Sequence, residues 1–154
     1  MAKFKFSLEV LLKVKELKKR QAETEYAEVQ RKLDRQLAML SKLTDEYHGV
    51  VSEMDRIAAN GTTVYHMKRY SDYSLALRRQ VELQQQVVDK VTNDVDAAKS
   101  RLIGLIREVN VLNEVKERQY YQYRLEEEKR YQNAIDEYAS YKIYKQGGLI
   151  NGRT

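Results

Sequence analysis

The sequence contains no cysteine, no proline and no tryptophan, and only six glycines and two phenylalanines among its 154 residues. Without cysteine there is no disulfide framework and no thiolate metal site, so a disulfide-stapled secreted fold is excluded. The lack of proline and the shortage of glycine argue against a turn-rich sandwich or barrel and favour long uninterrupted helices. Because large apolar aromatics are scarce, a narrow seam between helices fits better than a deep globular core.

Charge and tyrosine are unevenly distributed along the chain. The net charge is +5, and residues 1–20 carry seven Lys or Arg against Glu9 and Glu16, so the whole positive excess lies near the start. Seven of the twelve tyrosines lie close together further on: Tyr120, Tyr121, Tyr123, Tyr131, Tyr138, Tyr141 and Tyr144. No apolar run is long enough for a signal peptide or a membrane span, and we expect neither.

Apolar residues recur with a seven-residue period in two long parts of the chain. The first register has one column at Leu12, Lys19, Tyr26, Leu33, Leu40, Tyr47 and Met54, and another at Lys15, Ala22, Val29, Gln36, Leu43, Val50 and Ile57. The second has columns at Val81, Val88, Val95, Leu102 and Val109, and at Leu77, Gln84, Val91, Ala98, Leu105 and Leu112. A heptad repeat sustained over this length is typical of a coiled-coil seam.

The stretch between the two registers predicts one turn. It contains Asn60-Gly61, which favours a turn, and Ser71 or Asp72, which can cap a following helix. The sequence therefore predicts an all-α fold, a long antiparallel two-helix coiled-coil hairpin, as a single domain over residues 1–154. We expect helix 1 over about residues 7–59, a turn over about 60–71, helix 2 over about 72–146 and a tail over 147–154.

The position of the predicted turn also determines which residues face one another. Leu12 would lie opposite the region of Tyr120, and the chain after about residue 125 would extend past its partner helix. The heptad pattern weakens shortly before this point, where Lys116 and Gln119 occupy positions of the register. Because tyrosine combines a large apolar ring with a polar tip, an unpaired tyrosine-rich helix predicts a surface that binds a partner.

Residues suited to catalysis or cofactor binding form no recognisable set. The chain has only His48 and His66, and the consecutive Glu126, Glu127 and Glu128 point around a helix instead of converging on one point. There is no glycine-rich phosphate loop and no nucleophile with an evident base. We expect a protein that is not an enzyme and that uses no metal or other cofactor.

The basic N-terminal stretch allows three interpretations. Its lysines and arginine could form a solvated helix face, a nucleic-acid-binding surface or a contact with an acidic protein partner. Lys15 and Lys19 fall on the seam itself, where an unpaired ammonium group is costly. The neighbouring unpaired helix favours the protein partner, and we expect Lys13, Lys18 and Arg20 to steer its binding.

Three stretches of the sequence resemble those of the flagellar export protein FliJ family. The start, Phe4 to Glu9 followed by Leu11-Leu12, resembles the family's opening. Glu117-Arg118-Gln119, with Asp136-Glu137 and Tyr138-Ala139 further on, resembles its closing segment. The spacing around Gln36, Leu40 and Tyr47, and then Tyr73 and Leu77, resembles the segments that flank its turn.

The resemblance implies a hairpin similar to the central stalk of rotary ATPases, without catalytic activity of its own. It implies that the end with both termini binds a hexameric export ATPase, FliI-like, and promotes assembly of its ring. The turn-side part would bind an export gate protein, FlhA-like, and the family also handles export chaperones. Such a protein would act in the cytoplasm, held at the inner face of the membrane by its protein partners.

Single binding residues are predicted from the positions that match the family and, for the N-terminal cations and Tyr131, from the basic stretch and the tyrosine-rich helix described above. The ATPase-binding residues would be Lys13, Lys18, Arg20, Glu117, Arg118, Gln119, Tyr131, Asp136, Glu137 and Tyr138. The gate-binding residues would be Gln36, Leu40, Leu43, Tyr47, Tyr73, Leu77 and Gln84, most of which the register also assigns to the seam. A core role and a contact role therefore compete at these positions.

Two other functions are compatible with the residues alone. One is a generic cytoplasmic coiled-coil adaptor or chaperone, and the other is a basic helical nucleic-acid-binding protein. We expect no nucleic acid partner. We also expect the free protein to be a monomer, because the hairpin already gives each helix its partner. Nucleic-acid binding would weaken steeply with salt, which distinguishes it from the other two functions.

Overall fold

The computed structural model describes the backbone of residues 3–150 and the side chains of residues 3–148. Two helices account for nearly all of this length: α1, Glu9–Asn60, and α2, Val64–Ile150. They pack against each other as an all-α antiparallel hairpin, which confirms the fold predicted from the heptad registers. No helix in this part of the chain has a segment apolar enough to cross a membrane.

The two heptad registers form the seam between the helices. All fourteen register positions of α1 and all eleven of α2 are buried or half-buried. The deepest are Leu12, Leu77 and Val91, each with 3% of its surface exposed. Burial of these register positions supplies most of the stability of the two helices, because helices this polar gain little from intrinsic propensity.

The turn is much shorter than predicted and comprises residues 61–63. Gly61 has a φ of 85°, the left-handed conformation that glycine adopts most readily at a helix end, and this ends α1. Thr63 caps α2: its Oγ1 accepts a hydrogen bond from the His66 backbone N–H at 3.3 Å. Ser71 and Asp72, which we expected to cap the helix, lie inside it.

The short turn also shifts the pairing between the helices. Contacts across the seam join Glu9 to Lys116, Lys15 to Glu108, Glu25 to Arg101 and Gln36 to Gln84. These pairs are centred on residues 60–63, whereas the predicted turn would centre them on about residue 66. Leu12 therefore packs with Val109, and the prediction that it faces Tyr120 is wrong.

The outer ends of the helices also differ from the predicted bounds. Helix α1 begins at Glu9 instead of residue 7, with the Leu12 N–H donating to the Leu8 carbonyl at 2.9 Å. Helix α2 continues through Gly147 and Gly148 to Ile150, since neither glycine adopts the positive φ that ends α1 at Gly61. The last four residues of the predicted tail, 151–154, lie outside the described residues.

The chain forms two compact units. The terminal unit takes in the chain up to Glu16 and from Arg107 onward, and the turn unit takes in Leu17–Ile106. Each contains segments of both helices. That residues 1–154 fold as one domain stays a prediction, because a compact unit is not by itself an independently folding domain.

Candidate functional site

The terminal unit has a small apolar cluster that fixes the start of the chain against α2. Its buried members are Phe6, Leu12 and Val109, and Phe4, Leu112 and Val115 pack on them partly exposed. Residues 3–8 precede α1, and the Phe6 carbonyl accepts a hydrogen bond from the Glu9 N–H at 3.2 Å. This contact turns the chain into α1 and holds the N-terminal segment in place.

Phe4 marks the end of the paired part of α2. Its ring lies edge-on to Tyr120, with centroids 5.3 Å apart, and 5.5 Å from the ring of Tyr123. Aromatic rings at these separations attract each other beyond the area that they bury. Beside them, a groove of about 530 Å³ is lined by Lys3, Phe4, Lys5, Phe6, Glu9 and Lys116. With three lysines and one glutamate, this groove beside the Phe4 contact carries a net positive charge.

Lysines that lie on or near the terminal unit's seam have acidic partners. The Lys15 Nζ is 2.6 Å from a carboxylate oxygen of Glu108, and the Lys116 Nζ is 2.9 Å from one of Glu9. The Lys116 Nζ also lies 5.9 Å from the centre of the Phe6 ring, a cation–π geometry. These acidic partners offset the free-energy cost of placing ammonium groups in a seam.

The cations predicted to bind the ATPase have no such partners. Lys13, in the terminal unit, is exposed, and so are Lys18 and Arg20, in the turn unit. No ion pair or hydrogen bond joins these three side chains to another described residue. By contrast, the seam cation Lys19 lies 3.9 Å from Glu23 of its own helix. The unpaired cations are therefore available to an external acidic group.

The other predicted ATPase-binding residues lie on α2 in two groups. Glu117 and Arg118 are exposed and Gln119 is half-buried, whereas Tyr131, Asp136, Glu137 and Tyr138 are all exposed. At about 1.5 Å per helical residue, the centres of the two groups are roughly 26 Å apart along the helix. The structure therefore brings together the members of each group, and it separates one group from the other along the helix.

Beyond Phe4, α2 has no cover. Every residue from Glu128 to Gly148 is exposed, and we name residues 128–148 the overhang. The sequence predicted such a segment from about residue 125. Tyr131, Ala134, Ile135, Tyr138 and Tyr141 occupy positions i, i+3, i+4, i+7 and i+10, so they share one helix face. We name these five residues the bare stripe.

The bare stripe continues the face with which α2 packs on α1. Val109, Tyr120 and Tyr131 are eleven residues apart, as are Leu112, Tyr123 and Ala134. Eleven residues make about three helical turns at 3.67 residues each, so this spacing keeps the residues on one face. Buried Val109 and half-buried Leu112 and Tyr123 lie within the seam, and Tyr131 lies beyond its end. The apolar face thus outlasts its intramolecular partner.

The turn unit holds the predicted gate-binding residues at different depths. Leu77 and Gln84 are buried, Tyr73 is 48% exposed, and the half-buried remainder comprises Gln36, Leu40, Leu43 and Tyr47. Gln84 donates from Nε2 to Gln36 at its Oε1, 2.8 Å away, and at its backbone carbonyl, 3.1 Å away. The structure therefore brings two of the predicted residues into direct contact, and it makes Leu77 a seam residue.

A groove of about 480 Å³ runs along one flank of the turn unit's seam. It is lined by Met39, Lys42, Leu43, Glu46, Gln80, Leu83, Gln84 and Val87. Two of these, Leu43 and Gln84, were predicted to bind the gate, and the apolar Met39, Leu83 and Val87 were missed. The available signal was that Met39 and Val87 precede the seam positions Leu40 and Val88, which puts them on the seam's flank.

A second depression, of about 300 Å³, lies in the turn unit and is lined by His66, Arg69, Tyr70 and Tyr73. The Arg69 guanidinium lies 5.9 Å from the centre of the Tyr65 ring.

Nearby in sequence, the Arg56 Nε donates to Glu53 at 2.9 Å, which lowers the pKa of that carboxyl and raises the pKa of Arg56. Arg56 is exposed and Glu53 is half-buried, with 37% of its side chain exposed, so this is an ordinary ion pair at the surface.

These surfaces have the chemistry of protein binding. They combine exposed tyrosine rings, an apolar groove and unpaired cations, which supply contact area and charge complementarity. Among the residues that the structure describes, no three His, Asp or Glu side chains are grouped so that they could hold a metal ion.

Comparison with known proteins identifies the family. No curated protein and no solved structure matches the chain significantly. The sequence does match the profile described as "Flagellar FliJ protein" over residues 4–148, which includes all of α1, nearly all of α2 and the whole overhang. The chain therefore belongs to the flagellar FliJ protein family and is a component of flagellar protein export.

Proposed function

We propose that this protein is a non-catalytic, stalk-like hairpin that binds the hexameric export ATPase with its terminal unit and the export gate with its turn unit. In doing so it promotes ATPase ring assembly and couples ATP turnover to export, and it also handles export chaperones. It works in the cytoplasm, at the inner face of the membrane, through protein partners alone. The single observation that carries the proposal is the exposed overhang with its bare stripe.

The terminal unit suits a ring partner because it offers area and charge at one end. Tyr131 and Tyr138 are 68% and 67% exposed, and truncating such rings in an interface typically has large effects on binding. Asp136 and Glu137 flank the bare stripe, and Lys3 and Lys5 lie beside Phe4. A ring whose inner loops carry acidic and apolar side chains would complement this surface.

Coupling requires no catalytic group from the hairpin. A partner that binds one conformation of an ATPase subunit better than another shifts the populations of the two conformations. A single hairpin inside a six-membered ring contacts its subunits unequally, so it would favour different conformations around the ring. ATP turnover rises if the favoured conformation is the one that limits the cycle.

The test for the ATPase contact measures ATPase stimulation as a function of hairpin concentration and salt. Reversal of the unpaired cations, Lys13→Glu with Lys18→Glu and Arg20→Glu, should weaken stimulation most at low salt, where charge steering is strongest. Lys32→Glu with Arg35→Glu, two exposed cations further along α1, is the matched control. Equal stimulation by both variants at low and high salt would contradict the assignment.

The gate contact is supported by the flank groove and by the exposed ring of Tyr73. Leu83 is 54% exposed, so Leu83→Ser should leave the melting temperature almost unchanged and weaken gate binding. Tyr47→Ala tests a half-buried position: lost gate binding with unchanged melting favours contact, whereas a clear drop in melting temperature favours a core role. Gate binding that survives both changes would remove this surface from the proposal.

A further inference from the structure

The bare stripe has the composition of half a coiled-coil seam. Tyr138 and Tyr141 are 67% and 61% exposed, and none of the stripe residues packs against α1. Within the bare stripe, Tyr131 and Tyr138 form one heptad column and Ala134 and Tyr141 form the other, three residues away. Lys145 extends the first column, and Glu127 begins the second.

We propose that a second copy of this chain covers the bare stripe, with two overhangs pairing antiparallel about a two-fold axis near Asp136. In an antiparallel coiled coil each residue of one column faces a residue of the other column. Tyr131 of one copy then faces Tyr141 of the second, and Ala134 faces Tyr138. A small side chain opposite a large one fills the layer without a clash.

The charges of the overhang favour this orientation. Glu127, just before the overhang, and Glu128, its first residue, are acidic, whereas Lys142 and Lys145 near its end are basic. The other charges of the overhang are Lys129 and Arg130 at its start and Asp136 and Glu137 in its middle. Antiparallel pairing puts Glu127 opposite Lys145 of the second copy, and Glu128 opposite Lys142. The two-fold axis repeats both pairs, giving four favourable contacts. Parallel pairing would instead place like charges side by side, which is destabilising.

Two features limit the strength of the pairing. Glu127 already lies 3.2 Å from Arg130 in its own helix. In the dimer, Glu137 of one copy would also lie close to Glu137 of the second copy near the two-fold axis, and these like charges repel each other. The overhang is about 30 Å long, so the contact belongs with small interfaces below ~1,200 Å², which are typically weak. We therefore expect a dissociation constant on the order of tens of micromolar. At lower concentration the protein is the monomer that the sequence predicts.

The inference rests on the bare stripe and not on the proposed function, since it needs no other protein. Its test is sedimentation equilibrium of the full chain from about 1 µM to about 1 mM, a range that brackets a weak association. The mass should rise from 18.2 kDa toward twice that value. No rise over this range overturns the proposal.

Charge reversal tests the pairing itself. Glu127→Lys alone and Lys145→Glu alone should each weaken the dimer about tenfold, because each places two pairs of like charges in the interface. The variant with both changes should return to within about threefold of the unchanged protein, since every pair is opposite again. Lys90→Glu, an exposed lysine in the turn unit, is the control and should have no effect. Failure of the double variant to recover overturns the antiparallel pairing.

The absence of cysteine allows a direct check of orientation, because introduced thiols are the only ones present. A mixture of Ala134→Cys and Tyr138→Cys chains should form the mixed disulfide in preference to either symmetric one. Circular dichroism of the single variants should stay that of a helical protein, so that loss of structure is distinguished from loss of pairing. A symmetric Tyr138→Cys disulfide as the main product would indicate parallel pairing and overturn the proposal.

Discussion

Lys15 lies in the seam of the terminal unit, with its ammonium nitrogen 2.6 Å from the Glu108 carboxylate on the facing helix. Its side chain is 25% exposed, whereas that of Glu108 is 51% exposed. The lysine therefore bears most of the desolvation, and the glutamate keeps contact with water. An ion pair of this kind contributes little net stability and constrains which residues face each other.

Replacement of Lys15 separates the contribution of its ion pair from that of seam burial. Lys15→Leu should raise the free energy of unfolding by about 1 kcal/mol, because it places an apolar side chain in the seam and leaves Glu108 free to be hydrated. Glu108→Gln should lower it by less than about 1 kcal/mol, as expected for a half-exposed pair. Urea denaturation measures both. A clear loss of stability in Lys15→Leu would mean that the ion pair contributes more than the burial replacing it.

Gln84 is the buried polar residue of the turn unit, and Gln84→Ala should lower the free energy of unfolding by about 2 kcal/mol. The change removes two hydrogen bonds to Gln36 and leaves a space in a seam layer. Gln85→Ala is the matched control, since the exposed Gln85 bonds only Asp89 of its own helix; it should cost less than about 0.5 kcal/mol. Equal effects would remove any special role for Gln84.

The same glycine-to-alanine change should have opposite signs at two positions. Gly61→Ala should destabilise the protein by about 1 kcal/mol, because alanine is strained at a φ of 85°. Gly104→Ala should stabilise it by a similar amount, since Gly104 is within α2 and an added Cβ meets nothing within 4 Å. Thermal denaturation of the two variants side by side measures the difference. Two shifts of the same sign would contradict the assigned turn.

The ion pair between Glu53 and Arg56 should be visible in the titration of Glu53. The hydrogen bond from Arg56 holds the pKa of Glu53 below its ordinary value of 4.5. A carboxyl whose pKa is lowered by folding contributes stability above its unfolded pKa, and this contribution is lost as the pH falls through the folded pKa. Carbon-13 NMR should therefore find the Glu53 midpoint below 4.5, and Arg56→Gln should raise it. An unchanged midpoint in Arg56→Gln would show that the pair does not persist in solution.

The hairpin and its seam could be predicted because burial repeats along the sequence. Leu12 and Val109 were placed in the seam from heptad spacing alone, and the overhang followed from counting residues on either side of the turn. The turn was predicted less well, because the cap at Thr63 depends on one local hydrogen bond. The prediction placed helix 2 where apolar spacing resumes, yet α2 runs through exposed Val64 and Tyr65 before it reaches the seam.

The surfaces were harder to predict than the fold. The continuation through Tyr120 and Tyr131 follows an eleven-residue spacing, so a seven-residue template shows only interruptions at Lys116 and Gln119. The flank groove needs Leu83 beside Met39, and their proximity depends on the pairing of the two helices, which the misplaced turn shifted. Binding surfaces depend on what is left uncovered, and that requires the position of every neighbouring element.

The three-residue turn also determines the order in which the hairpin can assemble. Contacts beside Gly61 close short loops, whereas Phe4 and Tyr120 are far apart in sequence and close a long one at greater entropic cost. Folding should therefore begin at the turn, and pairing of the helices should proceed from there toward the termini. The Phe4 segment should dock last and undock first. Fluctuation of that final contact would intermittently lengthen the tyrosine face, so its lifetime would regulate how much of the face a partner meets.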